Sequence, residues 1–123
     1  MAFEKKRIPL SEAIIKIRTY CNYRERCHKE VREKLYDLGL WKRDVDLALM
    51  QMMDENLLNE ERYARSYVRG HFYNKKWGKR KINYELKSKQ IHDRLIQMAF
   101  EEIDEAEYAV MIKKLIAQKS KEV

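Results

Sequence analysis

EVREKLYDLGL, residues 30–40, returns as KINYELKSKQI, residues 81–91, at a spacing of 51 positions. Val31 falls on Ile82, Leu35 on Leu86 and Leu40 on Ile91. The match continues upstream, where Ala13 falls on Ala64, Ile17 on Val68 and Cys21 on Phe72, and downstream, where Val45 falls on Ile96 and Leu49 on Phe100. Self-similarity at a fixed period marks a chain built from one supersecondary unit written more than once, so the unit is read before any single helix.

Each unit reads as three helices. In the second, Tyr63, Ala64, Tyr67, Val68, His71 and Phe72 form one apolar stripe on a period of about 3.6 residues. Asn59 suits an N-cap, and Glu60 and Glu61 suit the positive end of the helix dipole. Gly78 opens a second helix carrying Ile82 and Leu86, and Leu95, Ile96, Ala99, Phe100 and Ile103 mark a third. After Asp104, the residues Tyr108, Met111, Ile112, Leu115 and Ile116 give the apolar face of a further helix, like the first of a third unit. Three Gly and one Pro in 123 residues are too little turn punctuation for a many-stranded fold. The expectation is an all-α protein of tandem three-helix repeats forming an elongated, slightly curved array. Its expected segments are an N-terminal tail over 1–9, repeats over 10–58 and 59–104, and the first helix of an incomplete third repeat over 105–123. Short units of this kind bury their apolar faces by stacking on neighbours.

Lysine and arginine number 27 against 20 acidic residues, a net charge of +7. Positions 69 to 94 hold nine basic residues against Glu85 and Asp93, so this one stretch carries the whole excess. Lysine on a helix face is ordinarily a solubility device. A charge so concentrated, interleaved with rings, points instead to a polyanionic or acidic partner. The candidate contact residues are Arg69, Lys75, Lys76, Lys79, Arg80, Lys81, Lys87 and Lys89, with Tyr73, Trp77 and Tyr84 as candidate aromatic anchors. Trp77, beside Gly78 at a helix junction, also reads as a corner residue filling the core.

Catalytic chemistry finds no constellation. Cys21 and Cys27 lie six apart on an expected helix and point to different sides, so they imply no disulfide framework and suit a reducing cytoplasm. With His28 they fall short of the four ligands of a structural zinc site. Adjacent carboxylates such as Glu60 and Glu61, or Glu101 and Glu102, diverge by about 100° on a helix and make poor acid and base partners. The glycines form no phosphate cradle. No catalytic residues, metal or cofactor are expected, and the chain reads as a binding protein rather than an enzyme. Met50, Met52, Met53 and Met98 sit at helical core spacing and read as packing. No apolar run approaches the roughly 20 residues of a membrane span, and no hydrophobic signal segment follows MAFEKKRIPLSEA.

The order and spacing of several fragments resemble the RecX family, bacterial regulators of the RecA recombinase. In the second unit these are Asn59-Glu60-Glu61-Arg62-Tyr63-Ala64, Tyr67-Val68-Arg69, Trp77-Gly78, and Arg80-Lys81-Ile82 with Glu85-Leu86 and Ile91. In the first they are Tyr23-Arg24-Glu25-Arg26, then Glu30, Lys34-Leu35 and Gly39-Leu40, which marks Arg24, Arg26, Glu30 and Lys34 as family-like positions. Cys27 stands where the family usually has the Ser of an S-x-x-E capping box, so a looser helix start is expected there. Gln90 stands where the family favours Gly in a helix-ending turn. The resemblance implies a cytoplasmic, monomeric regulator in DNA repair, recombination and the SOS response. It implies a protein that lies in the groove of the RecA filament on single-stranded DNA and restrains filament growth, ATP hydrolysis and strand exchange. The competing reading is a helical module that binds DNA directly, with GKRKINYELKSK as recognition helix.

Overall fold

The computed structural model describes residues 7–121. Residues 1–6 of the expected tail and 122–123 of the C-terminal segment lie outside the described residues. Seven α-helices are found among the described residues, and no strand: α1 (Leu10–Tyr23), α2 (His28–Asp37), α3 (Lys42–Asp54), α4 (Glu60–Arg69), α5 (Lys79–Ser88), α6 (Asp93–Ala99) and α7 (Glu105–Lys121). A π-helical turn, Gly70–Asn74, extends α4, and a 3-10 turn, Phe100–Glu102, extends α6. The fold is all-α, as the low Gly and Pro content requires. The starts of α2 and α5 are 51 positions apart, as are those of α3 and α6. The chain divides into two compact units, residues 1–63 and 64–123, with the division inside the first turn of α4.

The first unit closes around Ala13, Ile17 and Cys21 of α1, Val31 and Leu35 of α2, and Val45, Ala48, Leu49 and Met52 of α3, with Leu40 and Leu58 from the connections. These residues recur every three or four positions, which puts each set on one stripe of its helix. Burying a side chain such as Leu35 contributes on the order of 2 kcal/mol. Met50 and Met53 fall outside the α3 stripe and are exposed, because neighbours one or two positions away on a helix face elsewhere, whereas Met52 is buried and Met98 half-buried. In the second unit the buried set is Ala64, Val68, Phe72, Ile82, Leu86, Ile91, Ile96, Ala99, Ile103 and Met111.

The capping chemistry repeats as well. Asn59 Oδ1 accepts the Arg62 N–H at 2.9 Å, confirming it as the N-cap of α4. At α2 the capping box closes despite Cys27: the Cys27 N–H donates to Glu30 Oε1 at 3.2 Å, and the Sγ occupies the hydroxyl position. The expected looseness is absent because Cys27 is fully buried and Glu30 supplies the reciprocal bond.

Helices α2 and α5 end in the same six-residue turn. Leu40 N–H donates to Leu35 O at 3.3 Å and Gly39 N–H to Tyr36 O at 2.9 Å; in the second unit Ile91 donates to Leu86 O at 3.1 Å and Gln90 to Lys87 O at 2.9 Å. Gly39 has φ 90°, and Gln90 takes the same left-handed position at φ 62°. A side chain in that region costs roughly 1 kcal/mol that glycine avoids. Gln90→Gly is therefore expected to raise stability by about 1 kcal/mol, seen as a higher urea midpoint at unchanged slope, and Gly39→Ala to lower it by a similar amount. A lower midpoint for Gln90→Gly would mean that the Gln90 side chain, not its backbone, holds the turn.

Candidate functional site

The basic stretch begins where a helix least favours it. Lys79, Arg80 and Lys81 form the first turn of α5, with no acidic residue among them. Cations at this end oppose the helix dipole by about 0.3–1 kcal/mol each when exposed. The matching turn of α2 carries Glu30, which stands at the position of Lys81 and obeys the dipole. The second unit therefore gives up a stabilising charge that the same scaffold uses in the first.

The basic residues do not act alike. Lys79 is half-buried: its Nζ lies 2.8 Å from Glu105 and 4.7 Å from the Tyr108 ring centre, while its N–H donates to Tyr108 Oη at 3.3 Å. It ties the start of α7 to the start of α5. Arg69 pairs with Glu102 at 2.6 Å, and Lys87 lies 3.4 Å from Asp93. Lys75 and Lys81 sit over the Trp77 ring at 5.6 and 4.2 Å. Among the described residues, Lys75, Lys76, Arg80, Lys81 and Lys89 have no carboxylate partner. These five, with Arg94, carry the unneutralised charge of the stretch.

The rings divide too. Tyr67 stacks on His71 at 3.7 Å, and Trp77 leans on His71 at 4.5 Å, so Trp77 is the corner residue that its place beside Gly78 suggests, with Lys81 on its outer side. The π turn carries Tyr73, whose hydroxyl accepts the Asp104 N–H at 3.2 Å; this ring is engaged in holding the turn before α7. Tyr84 alone of the three is largely exposed, at 72%.

The family-like residues of the first unit build structure. Arg26 is buried, with its guanidinium 3.6 Å from the Tyr20 ring centre and its Nε–H donating to Tyr20 O at 3.0 Å. Arg24 donates to Glu30 at 2.7 Å, and Lys34 lies 5.6 Å from the Tyr20 ring. Burial pushes the Glu30 carboxyl up, but the bonds from Arg24 and from the Cys27 N–H outweigh it and leave it below the ordinary range. Glu60 accepts the His28 N–H at 3.0 Å, and Arg62 bonds Glu25, so the first turn of α4 is latched to the start of α2 within this unit. Spacing along the chain carries no sign of these pairs, which join residues more than 30 positions apart. Burial pushes the Cys21 and Cys27 thiols up to about 11. Among the described residues no group of three or more His, Cys, Asp or Glu could hold a metal ion, and no helix is long and apolar enough to cross a membrane.

Residues 59–99 match the family model described as RecX, second three-helix domain. The chain is 40% identical over 73 residues to the regulatory protein RecX of Vibrio campbellii, covering 59% of this chain and 46% of that protein. It is 34% identical over 97 residues to the regulatory protein RecX of Vibrio vulnificus, covering 76% and 63%. It thus spans between about half and two thirds of the length of these relatives. Among solved structures, the crystal structure of a regulatory protein RecX aligns with a TM-score of 0.82 at 24% identity, over 89% of this chain and 54% of that one. The crystal structure of RecX from Lactobacillus salivarius aligns with a TM-score of 0.79 at 25% identity, over 93% and 76%.

Beside the basic face, Glu102 receives Arg69 and also Arg65, the latter at 2.8 Å. The hydrogen bonds from Arg69 and then Arg65 hold its carboxyl below the ordinary value of 4.5. A carboxylate with a depressed folded pKa stabilises above its ordinary value, and that stability is lost as pH falls through the depressed one. Urea midpoints measured from about pH 6 down to about pH 3 should fall for the wild type. Glu102→Gln is expected to start lower at pH 6 and to fall less steeply; an equal slope would mean that the arginine pairs contribute nothing to folding.

Proposed function

Because this chain belongs to the RecX family, we propose that it regulates the RecA recombinase by binding the RecA filament on single-stranded DNA and restraining its growth and ATP hydrolysis. The observation that carries this reading is the set of carboxylate-free cations on and before α5, placed against the helix dipole where stability alone would put acids. Such a face is drawn to a filament groove lined by DNA phosphate and acidic side chains, and it speeds encounter more than it tightens final docking. In this proposal 10–58 and 59–104 act as successive repeats, with 105–123 opening a third. An array of repeats adds weak contacts to neighbouring recombinase subunits through effective concentration. The protein would act as a monomer in the cytoplasm, where the filament forms.

A second reading keeps the same surface but makes naked DNA its target, and the exposed Tyr84 among cations favours giving it an arm in the test. The experiment is single-strand-dependent ATP hydrolysis by RecA with increasing amounts of this chain, alongside binding to naked single-stranded and duplex DNA at physiological salt. Inhibition well below saturation of the DNA supports the regulator. Unchanged hydrolysis together with tight, filament-independent DNA binding would favour the second reading.

Lys79 is unsuited to charge reversal, since a carboxylate there would face Glu105. The double variant Arg80→Glu/Lys81→Glu, at exposed positions, should leave helicity nearly unchanged. It should weaken filament binding at low salt by at least about tenfold and reduce the salt slope, about 0.7 per single-strand phosphate contact, by one to two contacts. Wild-type affinity in the double variant would make the strip a solubility face.

A further inference from the structure

Tyr84 stands in the middle of the exposed face of α5, and its helix neighbours are Arg80 and Lys81 one turn before and Lys87 and Ser88 one turn after. All five side chains are exposed, and none of the five is acidic. The first unit supplies an internal control, because α2 has the same length and register. Its matching residues are Lys29, Glu30, Glu33, Tyr36 and Asp37, with Glu33 where α5 has Tyr84. The scaffold therefore requires neither a ring nor cations on this face, and one copy holds three carboxylates there where the other holds three cations.

The surroundings of Tyr84 decide which partner its ring fits. A tyrosine that anchors a protein interface sits within apolar neighbours that exclude water. Burying Tyr84 in that way would desolvate Arg80 and Lys81 together, at a penalty of several kcal/mol per ion unless each met a carboxylate. A single nucleic-acid strand has no such conflict. Its bases offer apolar faces to the ring, and its phosphates alternate with them and meet the cations while all remain wet. Arg80 and Lys87 are seven residues apart, about 10.5 Å along the helix, so their long side chains flank the ring on both sides. A duplex keeps its base faces stacked and offers the ring nothing.

We infer that the exposed face of α5 centred on Tyr84 is a base-stacking site for single-stranded nucleic acid, with the carboxylate-free Arg80 and Lys81 on the phosphates beside the stacked base and Lys87, 3.4 Å from Asp93, at the far end of the face. It rests on the reading that the basic surface of the second unit is a contact face, and it assigns that face to the strand rather than to protein. Lys75 and Lys76, in the turn before α5, extend the path of the backbone.

The test uses the whole chain, with fluorescence anisotropy on a labelled oligothymidine, an abasic strand of equal length and a duplex. Wild type should bind oligothymidine more tightly than the other two, and Tyr84→Phe should keep that preference. Tyr84→Leu should weaken oligothymidine binding by about 5- to 150-fold, the range of one aromatic–base stack, while leaving the abasic affinity and the salt slope unchanged. Quenching of 2-aminopurine placed in the strand should be present with Tyr and Phe and absent with Leu. Equal binding by the Phe and Leu variants, or equal affinity of wild type for abasic and base-bearing strands, would overturn the inference. Loss by Tyr84→Leu of binding to DNA-free RecA alone would overturn it too, by assigning the face to an acidic protein surface. RecA hydrolysis measured in parallel separates the two levels: inhibition by wild type with no stacking signature sinks this inference and leaves the regulator reading standing.

Discussion

In each unit the connection from first to second helix is held by a flat group set against a ring. In the first it is the Arg26 guanidinium on Tyr20, and in the second, 51 positions on, it is Trp77 on His71. The position is shared and the charge is not. Arg26 brings a buried cation to the corner, which calls for a carboxylate nearby, and Glu30 stands 4.0 Å away. Trp77 brings none, so the position of Glu30 is released, and Lys81 occupies it and rests on the indole. The exchange at this packing corner thus goes with a change in the sign of charge at the start of the next helix.

The repeat makes the two halves of the charge distribution comparable. Residues 1–63 hold 13 basic and 12 acidic side chains, and 64–123 hold 14 and 8. The halves differ far more in acids than in bases. Positive potential in the second unit comes chiefly from withdrawing carboxylates, which leaves cations without local partners and keeps the field reaching into solvent. Arg69 and Lys79 show the opposite fate, neutralised by Glu102 and Glu105 while they join segments of the same unit.

Much of this is legible in the sequence because it depends on period. The helix starts, the Asn59 cap and the apolar stripes follow from spacing along the chain, and the offset places the second copy on the first. What escapes is whatever depends on a partner distant in sequence or on backbone detail. The π turn at Gly70–Asn74 has no signature beyond a glycine, yet it leads into Lys76, at φ 60°, and the Trp77 corner. The roles of Lys79 and Tyr73 are set by Glu105, Tyr108 and Asp104, roughly 30 positions away. Met50 and Met53 depart from the expected packing because proximity to Met52 in sequence says nothing about sharing its face. The all-α architecture is the easiest part to read, and the division of labour among the basic residues the hardest.

The two cysteines carry a consequence for the conditions in which the protein can work. Oxidants and alkylating agents attack the thiolate, and a thiol titrating near 11 is ionised at neutral pH to only about one part in ten thousand. Cys21 and Cys27 are also closed off from solvent, so peroxide has neither the reactive form nor a path to it. Cys27 lies inside the cap of α2, where a sulfenic acid would need room and new hydrogen bonds that the packed corner does not supply. These two thiols therefore give reactive oxygen little entry into the fold.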